Sequence, residues 1–203
     1  MTLALCEGRK SVECNQSCEA GDASRMKTHK PRLLRHPGTF NPVRIKAESS
    51  TYGIHIRLSL KPGESLFDAI VKPLAELNIQ DASTTILCGA FEQLYYCVAP
   101  PDPEKHAVIA YSKPRDAGRA YMIFGNATLG RSIKGEPLVH CHAVIRTASG
   151  DVMGGHIITE QSIVGSKPIS VLVTSIVGIE LRQAFDEETR VSLLQPYGGE
   201  PHG

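Results

Sequence analysis

Three histidines carry the clearest chemical signal in this chain: His140, His142 and His156, within the run PLVHCHAVIRTASGDVMGGHII. Neutral imidazoles are ligands for zinc, copper, nickel or iron, and abundance tilts the choice to zinc. Side chains alternate along a strand, so His140 and His142 share one face and Cys141 points to the other. Ala148-Ser149-Gly150 fits a three-residue hairpin loop in which Gly150 supplies the left-handed position. That loop pairs Thr147 with Asp151, setting His142 opposite His156 and His140 opposite Ile158. Opposed residues on one face have Cβ atoms about 4.5–5.5 Å apart, close enough for both rings to reach one ion. A two-residue Ser149-Gly150 turn would instead shift the register by one and send His156 to the core side.

Three histidines leave a fourth coordination position open, the arrangement in which zinc-bound water reaches a pKa of about 7. A ligand from another subunit could equally fill it. Glu136 and Glu160 are expected on the same strand face and are candidates for an outer partner or an acid/base. Gly154 is expected to leave room for a ligand beside the cluster. Cys141 faces a core side shared with Val139, Ala143, Ile145, Met153, Gly155 and Ile157. His55 and His106 read as surface or strand residues.

The elements that must position this hairpin follow from apolar periodicity. Tyr52, Ile54, Ile56, Leu58 and Leu60 alternate with Gly53, His55, Arg57 and Ser59, a half-buried strand. After Lys61-Pro62-Gly63, Ser65 can cap a helix with Asp68 three residues on. Leu66, Ile70, Val71, Leu74 and Leu77 form the apolar face of that helix, and Pro73 predicts a kink or two shorter pieces. Strands are expected over Thr84–Gly89, Gln93–Val98, His106–Tyr111, Ala120–Leu129, Pro137–Arg146, Val152–Ile158, Ile169–Ile176 and Gly178–Phe185. One principal helix with a long series of strands implies an α+β domain whose sheet is mostly antiparallel.

The 203 residues suit one domain with tails: residues 1–45 as a disordered basic segment, 46–197 as the domain and 198–203 as a C-terminal tail. From Ser24 to Lys46 the chain carries Arg25, Lys27, Lys30, Arg32, Arg35, Arg44 and Lys46 without an acidic residue. The first five are candidate contacts to a nucleic-acid backbone, although a solvated tail is the simpler explanation of the run. The formal net charge of +1 excludes a strong global pull towards polyanions. No run approaches the about 18–20 apolar residues that span a bilayer, so no membrane partner is expected. The apolar start MTLAL is too short for a secretory signal, and a cytoplasmic address follows by default. Cys6, Cys14 and Cys18 show no recognised zinc spacing, and Met26 offers a second translation start.

The segments KPGESLFDAI, GEPLVHCHAVI, SGDVMGGHI and LRQAFDEETRVSLL resemble the plant-and-prokaryote-conserved (PPC) domain family over Tyr52 to Leu194. The earlier RLLRHPGTFNPVRI is similar to the lead-in of longer bacterial relatives. The resemblance implies a compact α+β domain, a homotrimer, and zinc held by His140, His142 and His156. It also brings an association with DNA, because plant members join this domain to Arg-Gly-Arg-Pro hooks. That motif is absent here, and Lys30-Pro31-Arg32 is a loose substitute. Gly118-Arg119 with Tyr121 and Ile123 partly resembles a plant segment, which makes Arg119 a candidate binding residue. Three functions therefore stand open: a zinc-binding, DNA-associated regulatory protein; a metal-dependent enzyme or small-molecule sensor using the open position; and a trimeric scaffold with structural zinc.

Overall fold

The computed structural model describes residues 34–198. Cys6, Cys14, Cys18, Arg25, Met26, Lys27, Lys30 and Arg32 lie outside the described residues, as does the segment after Gly198. In chain order the elements are β1 (His55–Leu60), α1 (Leu66–Glu76), β2 (Ala82–Ile86), β3 (Gly89–Gln93), β4 (Tyr95–Cys97), β5 (Arg115–Asp116), β6 (Ala120–Arg131), β7 (Pro137–Thr147), β8 (Val152–Ile157), β9 (Ile163–Val164), β10 (Ile169–Ser175), β11 (Ile179–Asp186) and β12 (Val191–Gly198). The main path of the sheet runs β1-β10-β2-β6-β7-β8-β4-β5, with β3 pairing β6 and β9. Neighbours are antiparallel except where β11, the first strand of a closing hairpin with β12, meets β6 at Arg182 and Arg131. The α+β class with a mostly antiparallel sheet is thus the fold of the protein.

Alternation decides which face of this sheet is core. Ile56, Leu58 and Leu60 turn inward on β1, while His55, Arg57 and Ser59 are exposed. On the same inner face lie Ala82, Thr84 and Ile86, then Ala127 and Leu129, then Val139, Cys141, Ala143 and Ile145. Helix α1 contributes Leu66, Ala69, Ile70 and Leu74 to that core. Each fully buried aliphatic side chain stabilises the fold by about 1.5–3 kcal/mol.

The ends of α1 explain its length. Ser65, with extended backbone, accepts a 3.0 Å hydrogen bond from the Asp68 N–H and so satisfies one orphan donor of the first turn. At the other end Asn78 adopts a φ of 58°. The Ile79 N–H then donates to the Leu74 carbonyl at 2.8 Å, and that of Asn78 to Ala75 at 2.9 Å. This is a Schellman closure, sealed by the buried pair Leu74 and Ile79. Pro73 does not divide the helix: only one further turn follows it, and the closure holds that turn.

Several expectations are corrected. His106–Tyr111 is irregular chain, not a strand. Pro100, Pro101, Pro103 and Pro114 lack ladder donors around it, and the Asp102 carboxylate captures the N–H groups of Glu104, His106 and Ala107. Strand β12 was not foreseen from the sequence. It carries Pro196, which an edge strand tolerates. Residues 36–44 are held against the Asp186–Arg190 turn between β11 and β12. The Gly38 N–H donates to the Glu188 carbonyl at 2.9 Å, and Arg44 pairs with both Asp186 and Glu188. The reason is electrostatic, since two nearly buried carboxylates need partners.

Candidate metal centre

The hairpin of β7 and β8 has the register that its turn residues dictate. Gly150 takes a φ of 94°, its N–H donates to the Thr147 carbonyl at 3.0 Å, and the Thr147 N–H donates to Asp151 at 2.9 Å. From that closure the ladder pairs Arg146 with Val152, Val144 with Gly154 and His142 with His156. His140 lies two residues further along the same face.

The structure brings His140, His142 and His156 together, with one ligand nitrogen from each lying within 4.8 Å of the others. Ring centroids are 4.9 Å apart for His140 and His142, 4.8 Å for His140 and His156, and 5.5 Å for His142 and His156. Two nitrogens on one tetrahedral zinc stand about 3.4 Å apart, a gap that small ring rotations close. Burial, then His156 and His142, push the His140 pKa down to about 4. Burial and then His142 also lower that of His156, partly offset by the Glu160 carboxylate. At neutral pH these two rings are therefore neutral and keep a lone pair for a metal. The buried Nδ1 of His156 has no hydrogen-bond partner among the described residues, a cost that a bound cation would remove. The donor set fits a metal ion, and the three residues can hold one. A bound ion would supply Lewis acidity at the open position.

Neighbouring strands complete the surroundings. Asn126 pairs with His142 and Thr128 with His140 from β6, while Cys97 of β4 pairs with His156. The Tyr111 ring lies 5.4 Å from that of His156. Sequence reasoning missed these four: Cys97 is placed by a strand far off in the chain and Tyr111 by an irregular loop, while Asn126 and Thr128 were within reach of a β6–β7 hairpin register.

The remaining candidates fall elsewhere. Cys141 is fully buried on the core face, where burial pushes its thiol up to about 12. Glu160 stands exposed in the turn after β8, with its charge felt at His156. Glu136 is exposed in the turn before β7, where its N–H donates to the Ser132 hydroxyl at 3.2 Å. Three strand residues lie between it and His140, about 13 Å of chain. Arg119 is exposed and paired with Glu92 at 2.6 Å, away from the cluster. Arg35 is exposed. Gly154 leaves less room than expected, because a Cβ there would meet the Ala143 carbonyl oxygen at 2.5 Å. It is the close approach of β7 and β8 that requires a glycine.

An antiparallel sheet with one helix and a three-histidine cluster on its outer face defines a small α+β protein able to ligate a metal. The chain belongs to the Plants and Prokaryotes Conserved (PCC) domain family, whose model matches residues 47–177. Solved structures share the fold. A metal-containing protein from Archaeoglobus fulgidus is 19% identical, with a TM-score of 0.55, covering 81% of this chain and 99% of its own. A plant- and prokaryote-conserved protein from Pyrococcus horikoshii is 20% identical, with a TM-score of 0.54, covering 72% and 93%. A protein of Ralstonia eutropha JMP134, named "Putative DNA-binding protein", is 17% identical, with a TM-score of 0.55, covering 68% and 88%. No curated protein matches the sequence. Among the described residues no helix is long and apolar enough to cross a membrane.

Proposed function

We propose that this protein is a zinc-binding, DNA-associated regulatory member of its family, with the ion held by His140, His142 and His156. The observation that carries this reading is the convergence of three ring nitrogens within 4.8 Å on one hairpin face. The Archaeoglobus structure, named as metal-containing, supports it. For DNA, the acid-free run with Arg25, Lys27, Lys30, Arg32 and Arg35 supplies the cations, and the name of the Ralstonia protein points the same way. Arg44 is engaged by Asp186 and Glu188, and Lys46 lies 3.8 Å from the centre of the Tyr197 ring. Contact with phosphates therefore falls to the residues before His36.

The reading includes a homotrimer. Leu87, Phe124, Val144 and Leu172 lie exposed on the outer face that also bears the histidines, an apolar band that self-association would cover. A second reading, a small ligand at the open position of the ion, is favoured by the exposure of His142 and by Tyr111 and Glu160 beside His156. Elemental analysis of untagged protein, with DNA affinity measured across a salt series, tests the proposal. About one zinc per chain and a steep loss of affinity with salt are expected. Zinc without DNA binding would leave the ligand reading in its place, and protein free of metal would remove both.

A further inference from the structure

We propose that residues 36–44 form a strap that steadies the Tyr111 loop against the metal centre and so sets how fast the ion exchanges. The proposal rests on the metal reading above and concerns the regulation of that same site.

The strap begins with a charge requirement. Asp186 and Glu188 are only 7% and 5% exposed, and buried carboxylates are costly without partners. Much of their pairing comes from the strap. Arg44 reaches Asp186 at 3.5 Å and Glu188 at 3.2 Å, His36 contacts Glu188, and the Asn41 N–H donates to the Glu188 carboxylate at 2.8 Å. Gly38 lies so close to the backbone of Glu187 that any side chain there would collide with it. The turn and the strap are therefore fitted to each other at several points.

The same turn grips a second segment. Asp186 accepts the N–H of Thr189 at 3.0 Å, and the Thr189 carbonyl accepts the N–H of Val108 at 2.8 Å. Val108 belongs to the excursion between β4 and β5. Its two legs are tied by Ala110 N–H to the Pro100 carbonyl at 3.0 Å and Ser112 N–H to the Val98 carbonyl at 2.8 Å. Tyr111 lies between those two ties, three residues from Val108, with its ring 5.4 Å from His156. A continuous set of contacts thus runs from Arg44 through the Asp186–Arg190 turn, Val108 and Tyr111 to a metal-ligating ring. Its two outer parts, residues 36–44 and 186–190, lie outside residues 47–177, the span that the family model matches.

The test uses full-length zinc-loaded protein, whose metal content is measured first, and follows transfer of zinc to an excess of chromogenic chelator. Arg44→Ala and Glu188→Gln are each expected to speed release about tenfold, and so is Tyr111→Ala. If the contacts act in series, Arg44→Ala combined with Tyr111→Ala releases zinc no faster than the faster single variant. Ser65→Ala, which weakens the helix cap away from this path, is expected to keep the native rate. Amide hydrogen exchange across residues 108–112 should rise in Arg44→Ala even without metal. Native release rates in both Arg44→Ala and Glu188→Gln, or multiplied effects in the double variant, would overturn the strap while leaving the metal site intact. Native protein that holds no ion would overturn the metal reading, and the strap as its regulator with it.

Discussion

His142 and His156 are direct partners in the ladder between β7 and β8, and their rings stand edge to face 5.5 Å apart. The pairing depends on Gly150, whose positive φ closes the loop with three residues and so keeps both imidazoles on the outer face. One residue more or less in that loop would turn His156 into the core.

Substitution of adjacent residues on opposite faces should separate metal binding from packing. His142→Ala is expected to abolish stoichiometric metal with little loss of stability, because the side chain is exposed. Cys141→Ser is expected to retain metal and to lose about 1–3 kcal/mol, because it places a hydroxyl in the core. Elemental analysis and denaturant unfolding of the two variants measure both effects. Metal retained by His142→Ala would contradict the assignment.

The metal-free protein should lose stability on acidification. His140 titrates at about 4 when folded, against 6.5 for a free imidazole, so between these values the unfolded chain binds more protons. Stability is then complete above about pH 6.5 and falls as the pH drops towards about 4, by about 1–2 kcal/mol after solvent screening. Unfolding free energies at several pH values, compared with His140→Ala, would expose this slope. A variant with the native pH dependence would remove His140 as its source.

Gly154→Ala should damage site and scaffold together. Its methyl group would meet the Ala143 carbonyl oxygen at 2.5 Å, forcing β7 and β8 apart where His142 and His156 must converge. A loss of about 1–3 kcal/mol and weaker metal binding are expected. Native Tm and native zinc affinity would show that the strands yield without cost.

Ser65→Ala offers the opposite dissociation. Removing the hydroxyl that caps α1 should cost about 1 kcal/mol. For a domain of this size that corresponds to about 2–4 °C in Tm. Metal content should be unchanged, since α1 packs on the inner face of the sheet.

What the sequence made legible was local. Strand alternation and a glycine-bearing turn were enough to set His142 opposite His156, and Ser65 with Asp68 marked the start of α1 from four consecutive residues. What escaped it was non-local or masked. Cys97 reaches the cluster only because β4 flanks β8, an order that no short segment encodes, whereas Asn126 and Thr128 follow from the β6–β7 hairpin, whose register was not read. Val108-Ile109-Ala110 has the apolar character of a strand, yet the prolines and the Asp102 turn deny it a ladder. Residues 36–44 show no apolar period because charge and backbone hydrogen bonds, supplied from the far end of the chain, hold them in place. Glu136 and Glu160 were expected on the histidine face and fall in turns, since each strand stops short of them.

The central claim is that His140, His142 and His156 ligate one ion, and anomalous diffraction from crystals of untreated protein tests it most directly. The expected result is a single strong peak per chain at the zinc edge, about 2.0–2.1 Å from a nitrogen of each of the three rings. A map with no peak there, or with its peak at other side chains, would contradict the account.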